Sequence, residues 1–104
     1  MVRRLKTVAI NISTSGNNTI ISAISGRRIK ITHLIFTVGG DVNITLYDGS
    51  TALTGAMDFG GTSEPRGMVA NFNPFPLELR SGTAFVINLG AAIQVSGLVS
   101  YYIE

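Results

Sequence analysis

The chain has 104 residues, a formal net charge of +2 and no cysteine, and 13% of its residues are charged, against about 25% in an average globular domain. The length fits one domain, residues 1–104, with a modest core, and the missing cysteines exclude disulfides and thiolate metal sites. So little charge predicts that part of the surface is covered by other subunits, as a homo-oligomer or on a larger assembly.

Alternation with period two dominates, and no segment has a convincing helical period. Val8, Ile10 and Ile12 alternate with polar or small residues and predict a first strand. A cluster of Ser, Thr, Gly and Asn from Ser13 to Asn18 predicts a turn, and Thr19 to Ile24 a second strand. Ser25-Gly26-Arg27 turns the chain into a long third strand, Arg28 to Val38. Ile29 and Ile31 point to one face of it, but Leu34, Phe36 and Val38 point to the other. Two explanations stand: a β-bulge near Thr32-His33, or a second half buried on both sides.

Gly39-Gly40-Asp41 breaks the chain before the cleanest half-buried strand, with Val42, Ile44 and Leu46 on its apolar face. Asp48-Gly49 is a strong hairpin signal. Leu53 to Phe59 predicts a fifth strand, interrupted by Gly55, Gly60 to Arg66 a loop, and Met68, Ala70 and Phe72 one face of a sixth. Two prolines keep Asn73-Pro74-Phe75-Pro76 out of any sheet interior. After a turn at Ser81-Gly82, Phe85, Ile87 and Leu89 form the inward face of a seventh strand, and Ile93 to Ile103 the last, with Val95, Val99 and Tyr101 together. The expected fold is all-β: a single β-sandwich of about eight antiparallel strands in jelly-roll or Greek-key order.

No catalytic constellation emerges. His33 is the lone histidine and reads as structural; a Ser–His–Asp reading needs a nucleophile elbow, and no G-x-S-x-G is present. No second His or Cys completes a metal site, the glycines punctuate turns, and no cofactor is expected. The enzyme reading would stand on turnover abolished in His33→Ala. Arg3, Arg4 and Lys6 look briefly like the start of a signal peptide, but Asn11 and Ser13 break the apolar run. No stretch reaches the length of an apolar membrane span. Synthesis in the cytoplasm and no membrane partner are therefore expected. Three N-x-S/T sequons, at Asn11, Asn17 and Asn43, are then expected to go unused.

Six of the eight basic residues lie in the first 30: Arg3, Arg4, Lys6, Arg27, Arg28 and Lys30. They read either as a solvated edge or as a patch steered onto an acidic surface, with 1–6 as a basic N-terminal arm. Few aromatics are interleaved, which disfavours nucleic acid. In the loop Asn71 to Pro76, one reading has Phe72 plug the sandwich; the other has an apolar tip of Phe72, Pro74 and Phe75 insert into a partner. Tyr47, Tyr101 and Tyr102 read as cross-strand packing or as a sugar-stacking platform.

Gly26-Arg27-Arg28-Ile29, the run Gly49 to Gly55, Phe72-Asn73-Pro74, and Gly97 before a last strand ending in Tyr together resemble a family of small phage and prophage virion proteins. The resemblance spans roughly residues 20 to 102. Pro76-Leu77 and Ser81 to Phe85 depart from the family pattern. The resemblance implies a non-enzymatic β-sandwich subunit of the virion, at the capsid surface. It implies a head decoration or cement protein, clustered as a trimer, that binds and stabilises the assembled lattice of the phage major capsid protein. The expected contact residues are Arg3, Arg4, Lys6, Arg27, Arg28, Phe72, Pro74 and Phe75. The alternative is a receptor- or carbohydrate-binding module of a phage tail or fibre.

Overall fold

A strand that alternates apolar and polar residues buries one side and leaves the other wet, and the chain repeats this pattern from end to end. A computed structural model describes residues 4–104; Arg3 and the start of the proposed basic arm lie outside the described residues. The strands are β1 (Lys6–Ile12), β2 (Gly16–Ile21), β3 (Ile29–Val38), β4 (Val42–Asp48), β5 (Thr51–Ala52), β6 (Met57–Phe59), β7 (Gly67–Asn71), β8 (Leu77–Glu78), β9 (Phe85–Leu89) and β10 (Val95–Ile103).

They form two antiparallel sheets. In the first the order is β1-β10-β3-β7, with β8 following β7 along the same edge of β3. In the second it is β2-β9-β4-β5, with β6 sharing that edge of β4. If each broken pair is counted as one strand, the sandwich has two four-stranded sheets, ordered 1-8-3-6 and 2-7-4-5 along the chain. That is the jelly-roll order, so of the two expected arrangements this chain adopts the jelly roll.

The face switch in β3 is a bulge. Ser100 pairs with His33 and Tyr101 with Ile31, so Thr32 is the extra residue. Ile29, Ile31, Leu34, Phe36 and Val38 are all buried on the core side, while Ile35 is 38% exposed on the other. The buried Thr32 hydroxyl donates to Ser100 O at 3.1 Å, and Thr32 O accepts from Phe72 N at 2.8 Å. The bulge's polar groups are thus satisfied, as burial requires.

The core lies between the sheets. Phe36 of the first meets Phe59 of the second edge-to-face, with centroids 5.1 Å apart. Ile44, Leu46, Phe85, Ile87 and Leu89 fill the second sheet's inner face, and Ile10, Val95 and Val99 the first's. β2 begins at Gly16, earlier than expected, because Asn17 pairs with Asn88 and their side chains join at 2.7 Å. The fifth expected strand is broken. Thr54 Oγ1 accepts from Leu46 N at 3.2 Å, which replaces ladder pairing between β5 and β6.

The register divides the charges between the two ends of the sandwich. One end collects the starts of β1, β3 and β9 and the ends of β2, β4 and β10. There Arg4, Lys6, Arg27, Arg28, Lys30 and Arg80 face three carboxylates, Asp48, Glu78 and Glu104. Among the described residues the other end carries Asp41, Asp58 and Glu64 against Arg66.

Candidate interaction surface

The basic end is built by local pairing. Arg28 and Glu104 exchange backbone hydrogen bonds at 3.1 and 2.9 Å, which extends the β3–β10 ladder and sets the cations beside the chain's last strand. Arg28 Nη1 donates to Glu78 Oε1 at 2.8 Å. Lys30 Nζ bonds Glu78 Oε2, and lies 3.1 Å from Glu104 Oε1. Hydrogen bonds to Glu78 and then Glu104 hold the Lys30 ammonium above its ordinary pKa. The bond from Lys30 likewise draws the Glu78 carboxyl below its own. These pairs are partly exposed, so each contributes little to stability. They do consume charge.

Asp48 and Arg80 consume another pair. Asp48 sits at the hairpin signalled by Asp48-Gly49, where Gly49 takes φ +63. Its buried carboxylate accepts from Arg80 N at 3.0 Å, from Arg80 Nε at 3.2 Å and from Thr83 Oγ1. Arg80 Nη2 also donates to Asp48 O at 3.1 Å and Thr51 Oγ1 at 3.0 Å. Burial pushes the Asp48 carboxyl up, but the hydrogen bonds from Thr83 and Arg80 outweigh it and leave it below its ordinary value. This network ties the β4–β5 hairpin to the β8–β9 connection. Sequence reasoning saw the turn and missed the clamp, because no local signal links positions 32 residues apart.

What remains at this end is Arg4, Lys6 and Arg27, which make no ion pair with a described residue. Arg27 Nε reaches only the Glu104 carbonyl, at 3.4 Å. Of the expected contact residues, the fold thus brings Arg4, Lys6, Arg27 and Arg28 to one end, with Arg28 already held by Glu78.

The apolar loop divides. Phe72 is half-buried and packs against the core. Pro74 is exposed, and Phe75 is 84% exposed beside it. Asn71 Oδ1 accepts from Asn73 N at 3.0 Å and shapes the turn that presents them. Phe72 thus takes the place of a plug, while Pro74 and Phe75 are left exposed at the tip.

The tyrosines do not converge. Tyr47 lies on the outer face of the second sheet, opposite Ala52 and Val86. Tyr101 faces the core opposite Ile31, and Tyr102 is buried opposite Lys30. His33 contacts Thr32 Oγ1 through Nδ1 at 3.1 Å. Among the described residues no group of His, Cys, Asp and Glu could hold a metal ion.

No protein-family model matches the chain. No curated protein matches it. Among solved structures it is similar to a chain of the virus-like particle of extra small virus (XSV) of the giant freshwater prawn Macrobrachium rosenbergii, determined by cryo-EM. The likeness covers 97% of this chain and 78% of that one, with a TM-score of 0.50 and 18% sequence identity. At that identity it is a likeness of fold.

Proposed function

We propose that the chain is a non-enzymatic structural component of a virus particle, and that it acts as a head decoration protein that clamps the assembled capsid lattice of a phage. The observation that carries this reading is the jelly roll shared, over nearly the whole chain, with a chain from a virus-like particle. The charge layout supports it. Arg4, Lys6 and Arg27, which make no ion pair with a described residue, supply a basic end that steers the protein to an acidic lattice surface. Phe75 supplies an apolar tip beside the sheet edge, and burying it on a partner contributes about 1.5–3 kcal/mol. Binding the assembled lattice and not its free subunits stabilises the assembled state by linkage.

Capsid shells from the source, prepared without this chain, test the reading in a sedimentation gradient. The purified protein is expected to travel with the shells, less so at high salt. The triple variant Arg4→Glu, Lys6→Glu, Arg27→Glu is expected to stay at the top of the gradient. Wild-type protein that never leaves the top refutes the decoration role. Tyr47, Tyr101 and Tyr102 lie on three separate surfaces, so the glycan-binding alternative gains no platform from them.

A further inference from the structure

The outer face of the first sheet carries a pattern of its own. Residues directly opposite in an antiparallel pair share a face. The register aligns Ala9, Leu98, Ile35 and Val69 in one row across all four strands. On one side of it runs the row Thr7, Ser100, His33, Asn71; on the other run Asn11, Ser96 and Thr37. None of these residues is Asp, Glu, Lys or Arg. Val69 is 77% exposed, and Ile35 and Ala9 are also exposed. The ion-pair cluster at the basic fringe of this face, Arg28, Lys30, Glu78 and Glu104, is formally neutral.

The outer face of the second sheet is different. Asn17, Asn88, Thr45, Asn43 and Asp58 dominate it, and Val86 is buried. Its one apolar row, Val86, Tyr47 and Ala52, has Val86 buried and Tyr47 half-buried, so the exposed aliphatic side chains Ile35 and Val69 belong to the first sheet.

We propose that the outer face of the β1-β10-β3-β7 sheet is a two-fold contact surface for a second copy of this chain. Three features favour a second copy over another occupant. Over these three rows the order polar, apolar, polar is the same read from either end, and the charged row beyond it, Lys30 with Tyr102 and Glu78, lies outside the contact. A two-fold axis through the central row therefore sets Ile35 and Val69 against their own row and hydroxyls and amides against hydroxyls and amides, groups that both donate and accept. The face is neutral, so two chains of net charge +2 meet there without like-charge repulsion across the contact. Nucleic acid or an acidic partner would instead seek the basic end.

The size sets the strength. Four strands about 4.8 Å apart and three rows about 7 Å apart outline roughly 400 Å² per copy. A standard stable interface takes about 800 Å² per partner. The contact is therefore weak alone and fills when copies are held close together. The inference concerns the free chain in solution and stands apart from the decoration reading.

The test is a concentration series of the full chain, from about 10 µM to about 1 mM, followed by two-dimensional NMR and translational diffusion. Shifts that grow with concentration are expected at Ala9, Ile35, Val69 and Leu98, together with slower diffusion. Val69→Lys, at an exposed edge position that folding tolerates, is expected to weaken self-association at least tenfold. Asn17→Lys adds the same charge to the other sheet and is expected to leave it unchanged. The proposal is overturned by diffusion and spectra that do not change with concentration, by shifts confined to the second sheet or the ends, or by Val69→Lys associating like wild type.

Discussion

Gly97→Ala is expected to damage the fold more than its size suggests. Gly97 lies in β10 opposite Phe36, within the longest strand pairing of the molecule. A Cβ built there falls 1.9 Å from Ile35 O and 2.6 Å from Phe36 Cα. Real Cβ contacts essentially never fall below 3.0 Å, so β10 and β3 must separate by about 1 Å at the point of contact. The obstacle is backbone and cannot rotate away. Overpacking of a tight interior typically costs about 1–3 kcal/mol, and this geometry belongs at the upper end. A loss of about 3 kcal/mol is a large part of the 5–15 kcal/mol, roughly, that holds a domain of this size. It lowers the melting temperature by about 12 °C or more. Urea unfolding followed by circular dichroism measures it, with Gly55→Ala as control. Gly55 has no atom within 4 Å of its built Cβ, so that variant is expected within about 0.5 kcal/mol of wild type or slightly more stable. If Gly97→Ala also falls within about 0.5 kcal/mol of wild type, the close approach of β10 to β3 is wrong.

Other perturbations separate the fold's supports from its surface. Phe72→Ala is expected to lose about 2–3 kcal/mol because Phe72 packs against the core, whereas Phe75→Ala is expected to leave urea stability unchanged and weaken only partner binding. Asp48→Asn is expected to cost about 1–3 kcal/mol near neutral pH, as read from urea midpoints. The Asp48 carboxyl is depressed in the fold, so its contribution is present above the unfolded pKa and is lost as pH falls through the lower folded value. The gap between wild type and Asp48→Asn should therefore close on acidification, and a gap that persists undiminished contradicts the network. Lys30 is raised, so its contribution is complete below the ordinary lysine value and is lost as pH rises through the raised one. An alkaline titration of Lys30→Gln should lack that loss.

The strands with clean alternation were legible from sequence because burial on one face dictates period two. β4 and β9 show this, with Ile44, Phe85 and Ile87 fully buried. The switch in β3 was visible as a contradiction between Ile31 and Leu34, and the bulge at Thr32 resolves it. Gly55 marked the interruption of the fifth strand, but the contact behind it was not visible: Thr54 bonds Leu46 across the hairpin. β8 was hidden because two residues, Leu77 and Glu78, carry too short a pattern to read. At the candidate surface, the sequence shows where cations are but not which are spent. The pairing of Arg28 and Lys30 with Glu78, and of Arg80 with Asp48, joins segments far apart in the chain. The uncharged row from Ala9 to Val69 was equally hidden, since it exists only once four strands stand in register.

The measurement closest to the central claim is the copy number of this chain in purified particles from its source, by quantitative mass spectrometry against the major capsid protein. A structural role on the lattice predicts equal copies or a simple fraction of them. A ratio near zero would take the chain off the capsid lattice and contradict the account.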